Sequence, residues 1–253
     1  MSAHGRPRVN SLGQPIGAAV ADWRPPPLPP RRSQPGRLCV VEPLDPPRHA
    51  QPLFEAVALD GEGRMWTYLG YGPFRTAGAY REWLEAQSRS ADPLFFAVVD
   101  RASSRAVGVA SYLRMNPGDG VAEIGHLAFS PLLQRQAAAT EAMYLMIRTL
   151  FELGYRRCEW KCDALNGASR TAAERFGFTF EGIFRQALVY KGRNRDTAWY
   201  SIIDADWPAL DVCLRCWLDP ANFDEHGRQR MSLSALTAGL SRPGRAPTAG
   251  RAG

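Results

Sequence analysis

The chain has 253 residues, 45% of them hydrophobic and 22% charged, enough to bury a real core and too apolar for its middle to be disordered. The net charge of +6 belongs to the ends: residues 1–37 hold six Arg against one Asp, and residues 227–253 hold five Arg and no acid. The 20 basic and 24 acidic residues between them make a mildly acidic body, which argues against specific nucleic-acid recognition by the folded part.

Five cysteines, an odd number without a dense framework, suit a reducing compartment. Cys213 and Cys216 form a C-x-x-C pair in "WPALDVCLRCWL". That segment reads as an amphipathic helix with no second Cys/His pair at zinc spacing, so packing is expected and no metal. No apolar run is long enough to span a bilayer, and the first residues lack the apolar stretch of a signal peptide. The expectation is a cytoplasmic protein with no membrane partner.

Residues 1–37 contain "RPPPLPPRRSQPGR", whose prolines restrict φ and remove donors. They are expected to form an extended arm, neither helical nor sheet-paired, laid along the domain or serving as a linker. "RLCVVEPL" reads as a strand, and Arg48–Ala58 and Thr76–Ser88 as helices. "LFFAVVD" and "AVGVASYLRM" form a hairpin through "RASSR", and "GDG" turns into the strand "VAEIGHLAFS". In the helix that follows, Ala139, Ala142, Met143, Met146, Ile147, Leu150 and Leu153 recur on one face before Gly154. "RRCEWKCD" alternates Cys158, Trp160 and Cys162 against Arg157, Glu159 and Lys161, the pattern of a half-buried strand. "NGASRTAAERFG" is a second helix stopped by Gly177, and "FTFEGIFRQALVY" and "DTAWYSIID" flank the turn "KGRNR". Residues 227–253 read as a basic, disordered tail. The fold class is α/β, in its α+β form, with a largely antiparallel sheet and one strand–turn–helix–strand unit.

That unit carries the chemistry. A strand running into a helix aims the helix's unpaired N–H groups beyond the strand end, where the dipole favours an anion such as phosphate. Ala137, Ala138 and Ala139 leave this backbone accessible, while Gln134, Arg135 and Gln136 add donors and one positive charge. Alanines also favour a helix start in their own right.

"EIGHLAFSPLLQRQAAATEAMYLM" followed by "NGASRTAAERFGFTFEG" resembles the coenzyme-A-binding core of the GNAT superfamily of acyl-CoA-dependent N-acetyltransferases, in the branch with the ribosomal-protein alanine acetyltransferases. Gln134, Ala137 and Ala139 take the places of its Gln/Arg, small and small residues, with Ala where Gly is common. Asn166, Ser169, Glu174, Gly177 and Phe178 match its second motif. The resemblance covers about residues 38–205 within an expected domain of 38–226.

It implies a mixed sheet of six to seven strands flanked by helices, with splayed central strands, and acetyl-CoA as acyl donor to an amine without a metal. On its pattern, main-chain groups of Leu127 and Phe129 contact pantetheine, and Gln134, Arg135, Gln136, Ala137, Ala138, Ala139 and Thr140 hold the pyrophosphate. Asn166 and Ser169 line the arm near the sulfur, and Asn166 is also suited to cap its helix.

Acyl transfer needs a neutral amine, hence a proton acceptor. Glu123 resembles the position of a carboxylate base in this branch. His126 is the alternative, although strict alternation turns it away from Glu123. Ala173 stands where many members carry a Tyr; Ser169 is the expected substitute as donor to the departing thiolate, the alternative being assistance by backbone and water alone. The acceptor pocket is expected from "MWTYLGYGPF" and "VYKGRNRD", with Trp66, Tyr68, Tyr71, Phe74, Tyr190 and His126 as its candidates, though the aromatics would equally plug the core's edge. Lys191, Arg193 and Arg195 could recognise an acidic or carboxylate-bearing acceptor, although a charge run in a turn is usually solvated. Acetyl-CoA and an amine are thus the expected partners, and homodimerisation is left open. The competing reading is a catalytically silent coenzyme-A sensor or scaffold whose proline-rich arm recruits a partner.

Overall fold

The computed structural model describes residues 8–238 and 240. β1 (Arg8–Val9) and β2 (Pro15–Ile16) form a short antiparallel pair of their own. β3 (Gln34–Pro35), β4 (Cys39–Pro43), β5 (Leu94–Asp100), β6 (Arg105–Asn116), β7 (Val121–Phe129), β8 (Arg157–Asp163), β9 (Thr179–Tyr190) and β10 (Arg193–Ile203) share one sheet in the order β3-β4-β5-β6-β7-β8-β10-β9. Every neighbouring pair is antiparallel except β7 with β8. α1 (Pro46–Ala58) and α2 (Ala77–Ser88) supply apolar side chains to one core cluster. α3 (Ala137–Glu152), α4 (Gly167–Phe176), α5 (Trp207–Leu218) and α6 (Leu233–Ala238) supply the other.

β5 shows why the sheet is covered on both faces. Its side chains alternate between the clusters, Leu94, Phe96 and Val98 with α3 and Phe95, Ala97 and Val99 with α1 and α2. A continuous apolar run is what such a strand requires. The outer strand β9 differs, leaving Ile183, Phe184 and Val189 exposed.

The apolar stripe of α3 buries Ala142, Met143, Met146, Ile147 and Leu150. Each large side chain there contributes about 1.5–3 kcal/mol relative to exposure. Past its end Gly154 adopts φ 96°, Tyr155 N–H donates to the Leu150 carbonyl and Gly154 N–H to that of Phe151. The same double closure ends α4, where Gly177 has φ 93° and Phe178 N–H returns to Ala173. The Gly-Phe pair is therefore a helix stop, with Phe178 buried against Trp160 at 5.6 Å between ring centroids.

Three expectations need correction. The sheet has eight strands rather than six to seven, because the arm itself is sheet-paired, Gln34 opposite Val41 and Pro35 opposite Val40. Proline is tolerated there because β3 is an edge strand. The arm packs closely besides: Gln34 Nε2 donates to Tyr112 Oη at 3.3 Å, and Trp23 Nε1 to the Gly118 carbonyl at 3.0 Å. At the other end α6 interrupts the expected tail. Leu233 of α6 is fully buried, Trp217 Nε1 donates to Gln229 Oε1 at 2.8 Å, and only residues 239 and 241–253 of the tail lie outside the described residues. Among the described residues no helix is long and apolar enough to cross a membrane.

Candidate active site

β7 and β8 run together for three residue pairs, Val121 with Arg157, Ala122 with Cys158 and Glu123 with Glu159, and then part. Both strands continue, to Phe129 and to Asp163, so the expected splay is present and it opens at Glu123. A cleft of about 180 Å³ occupies the gap, lined by Glu123, His126, Lys161, Asp163, Ser169 and Arg195 among others.

Glu123 is only 3% exposed. Its carboxylate is 3.0 Å from Arg114 Nη1 and 3.2 Å from Lys161 Nζ. Lys161 also contacts Glu159 at 2.7 Å, and Glu159 meets Arg157 at 2.8 Å. Burial lifts the Glu123 carboxyl above the ordinary carboxylate range, while the two cations pull against it. A carboxyl so placed holds a proton more tightly than one in water.

Alternation predicted that His126 turns away from Glu123, and the structure overturns this. Between the pairs Ser111–Gly125 and Val109–Ala128, the single residue Ala110 faces both His126 and Leu127. This β-bulge, with His126 at φ 51°, resets the alternation and brings the imidazole into the same cleft. The ring stacks 5.6 Å from Tyr71 and lies 5.2 Å from Phe95. Burial, with Arg114 and Arg195 adding to it, lowers its pKa to about 4, so the imidazole is neutral near pH 7.

At the start of α3, Gln136 is the N-cap residue and forms no side-chain cap. Ala137 and Ala138 follow as the first two helical residues, whose N–H groups have no acceptor within a helix. Arg135, at φ 62°, is exposed beside them. A groove of about 800 Å³ opens here, lined by Gln136, Ala137, Ala138, Leu132 and the β5–β6 turn, so side chains do not seal the helix end.

Three neighbours have other partners. Gln134 Nε2 donates to the Phe129 carbonyl at 2.7 Å and so braces the turn from within. Ala139 N–H reaches the Gln136 carbonyl at 3.1 Å. Thr140 is 2% exposed and its hydroxyl accepts from Arg175 Nη2 at 2.9 Å, so it faces inward. Leu127 lines the cleft on the stretch of β7 that has left β8.

Asn166 caps α4, its Oδ1 accepting from Ser169 N–H at 3.1 Å. Ser169 Oγ accepts from Trp160 Nε1 at 2.9 Å, and its hydroxyl also faces the Cys162 sulfur as a donor. Both residues line the cleft, whereas Ala173 is completely buried.

The aromatic candidates divide. Tyr68 lines the cleft, and Tyr71 lies behind His126, stacked 4.4 Å from Trp83. Trp66 and Phe74, 5.4 Å apart, belong to the α1–α2 core cluster and do not line the cleft, so the expected substrate contacts there are core packing instead. Tyr190 acts at one remove, donating to Asp163 Oδ2 at 2.7 Å.

The sequence reading missed Arg114, Lys161 and Asp163. β8 looked half-buried, yet Glu159 is buried and the Lys161 side chain is only 7% exposed. The signal was the alternating charge in "RCEWKCD", which the parallel register sets against Glu123.

The Acetyltransferase (GNAT) domain family matches residues 37–179. A GCN5-related N-acetyltransferase from Brucella melitensis is 46% identical, with 86% of this chain and 99% of that chain covered at a TM-score of 0.84. A GNAT-family structure from Chromobacterium violaceum ATCC 12472 is 44% identical, covering 78% of this chain and 98% of that one at 0.72. RimL, a ribosomal L7/L12 alpha-N-protein acetyltransferase, is 21% identical over 68% of this chain and 94% of its own at 0.59, a likeness of fold. No curated protein matches the chain. Residues 37–179 and these long, well-covered alignments place the chain in one group: it belongs to the GNAT family of acetyltransferases.

Proposed function

We propose that the protein is an acetyl-CoA-dependent N-acetyltransferase that acylates a primary amine, on a protein amino terminus or a small molecule, by direct transfer within a ternary complex. The observation that carries this reading is the parting of β7 from β8 beside Glu123, on the strand that leads to the uncapped start of α3. These features fit the donor: the N–H groups at Ala137 and Ala138 suit a pyrophosphate, and the β7 main chain at Leu127 suits a pantetheine amide, whereas the Phe129 carbonyl expected beside it is taken by Gln134. When bound, acetyl-CoA supplies the activated acyl carbon.

Glu123 takes the proton that the amine nitrogen sheds as its bond to that carbon forms, a role that contributes roughly 10²–10⁴-fold. Arg114 and Lys161 hold the carboxylate in place and keep it ionisable. Ser169 donates a hydrogen bond to the sulfur as the carbon–sulfur bond breaks, and Trp160 orients its oxygen. His126, neutral and packed between Tyr71 and Phe95, shapes the acceptor side. The buried thiols of Cys39, Cys158 and Cys162 support a reducing, cytoplasmic setting.

The buried Ala173, which offers no hydroxyl to the cleft, favours a second reading, a coenzyme-A sensor without turnover. Calorimetry with acetyl-CoA, paired with thiol release across a panel of amines, decides between them. Binding with acceptor-dependent thiol release is the expected result. Binding without release for any amine leaves the sensor, and no binding at millimolar ligand defeats both.

A further inference from the structure

Lys191 Nζ donates to the Trp66 carbonyl at 2.7 Å, and Arg193 Nη2 to that of Thr67 at 2.6 Å. These bonds tie the β9–β10 turn to the loop after α1. Tyr68 Oη makes a second crossing, to the Leu165 carbonyl at 3.2 Å. The loop after α1 is therefore tied beside the cleft to both the β9–β10 turn and the β8–α4 turn.

Arg195 differs from its neighbours on the hairpin. It is half-buried and lines the cleft, its Nε donates to Thr197 Oγ1 at 3.1 Å, and its guanidinium carbon lies 6.0 Å from the Tyr190 ring centroid. A register shift between Arg195 and Thr197 interrupts the strand pairing there, the kind of irregularity that re-aims a side chain. The other two cations of the cleft, Arg114 and Lys161, are both paired with Glu123. Asp163 is engaged by Tyr190 Oη and by Leu165 N–H at 2.8 Å. Among the described residues no carboxylate forms an ion pair with Arg195. A half-buried guanidinium with free N–H groups is matched by a carboxylate, which it grips with two parallel hydrogen bonds. Glu123 and Arg195 both stand on the walls of this one space of about 180 Å³, so a small acceptor that fills it meets both.

We propose that the acceptor is a small amino carboxylate, its amine presented to Glu123 and its carboxylate held by Arg195. This rests on the acyl-transfer reading above, and the two are separable by experiment. Thiol release from acetyl-CoA is measured with free α-, β- and γ-amino acids, each beside its carboxamide and its decarboxylated amine, and with a short peptide bearing a free amino terminus. An amino acid is expected to exceed its neutral partners in kcat/KM by about ten- to hundredfold, the scale of a charge-assisted hydrogen bond. Arg195→Gln is expected to erase that ratio and Arg195→Lys to restore part of it, with acetyl-CoA affinity retained in both.

The proposal is overturned if carboxamides or the peptide are the better acceptors, or if no amino acid turns over while acetyl-CoA binds. It is overturned too if the ratio survives Arg195→Gln, or if that variant loses acetyl-CoA affinity, which would move Arg195 to the donor side. Failure of the wild-type protein to bind acetyl-CoA defeats the acyl-transfer reading itself.

Discussion

The helices that follow β7 and β8 begin in opposite ways. α4 starts on Asn166, whose side chain accepts from Ser169 N–H, whereas α3 starts on Gln136, which caps nothing. A helix whose first N–H groups are satisfied internally is a rigid mount for side chains, here Ser169. One whose first N–H groups are left over, behind three alanines and next to a groove, is suited to an anion from outside. Neighbouring helix starts can thus divide structural and ligand-binding work according to a single residue.

The largest test concerns the carboxylate that shares the cleft with the α4 start. Glu123→Gln keeps the shape but cannot accept the proton, so kcat is expected to fall about 10²–10⁴-fold with acetyl-CoA affinity retained. The wild-type rate rises with pH as Glu123 ionises, at a pH above the ordinary carboxylate range because burial raises its pKa, and the variant lacks that limb. An unchanged pH–rate profile in the variant excludes Glu123 as the base.

Next comes a direct exchange of the two helix starts. Gln136→Asp supplies α3 with the cap it lacks. Thermal unfolding should then show a gain of about 0.5–2 kcal/mol, while calorimetry shows roughly ten- to hundredfold weaker acetyl-CoA binding. Opposite signs in stability and affinity are the signature; unchanged affinity would end the contrast between the helices.

A smaller effect belongs to the imidazole that the bulge places in the cleft. The folded pKa of His126, about 4, lies below the usual 6.5, so between these values the unfolded chain binds the extra proton. Stability from this group is therefore complete above about pH 6.5 and falls as the pH drops towards 4, by at most about 1.4 kcal/mol per pH unit. Denaturant unfolding across that window is expected to lose this slope in His126→Asn.

The smallest is Asn166→Ala, which removes the α4 cap at a cost of about 1 kcal/mol. Here acetyl-CoA affinity should change far less than in Gln136→Asp, and the loss should appear in kcat through a displaced Ser169.

What was readable locally held well. The hairpin β5–β6, the stripe of α3 and the stop at Gly177–Phe178 all depend on residues near one another in sequence, through turn chemistry, helical spacing and the φ 93° that favours glycine. The strand-to-helix junction at Gln134–Thr140 was legible for the same reason, but not all its side chains, since the Gln134 amide folds back onto Phe129 and Thr140 faces inward to Arg175.

The cleft was only partly legible. The bulge at His126 depends on how β7 meets β6, and the burial of Lys161 on a parallel register between strands 38 residues apart at Glu123 and Lys161. The arm's prolines argued against sheet pairing, yet an edge position needs fewer donors, and Gln34 found partners on β6 and α3.

By itself, then, the amino-acid sequence determined the order and ends of the elements and the bare helix start, because these follow from backbone conformation over a few residues. Tertiary structure alone decided which charges share the cleft and which aromatics fill the core. Those choices depend on register, bulges and burial, and each is settled by a partner strand far away along the chain.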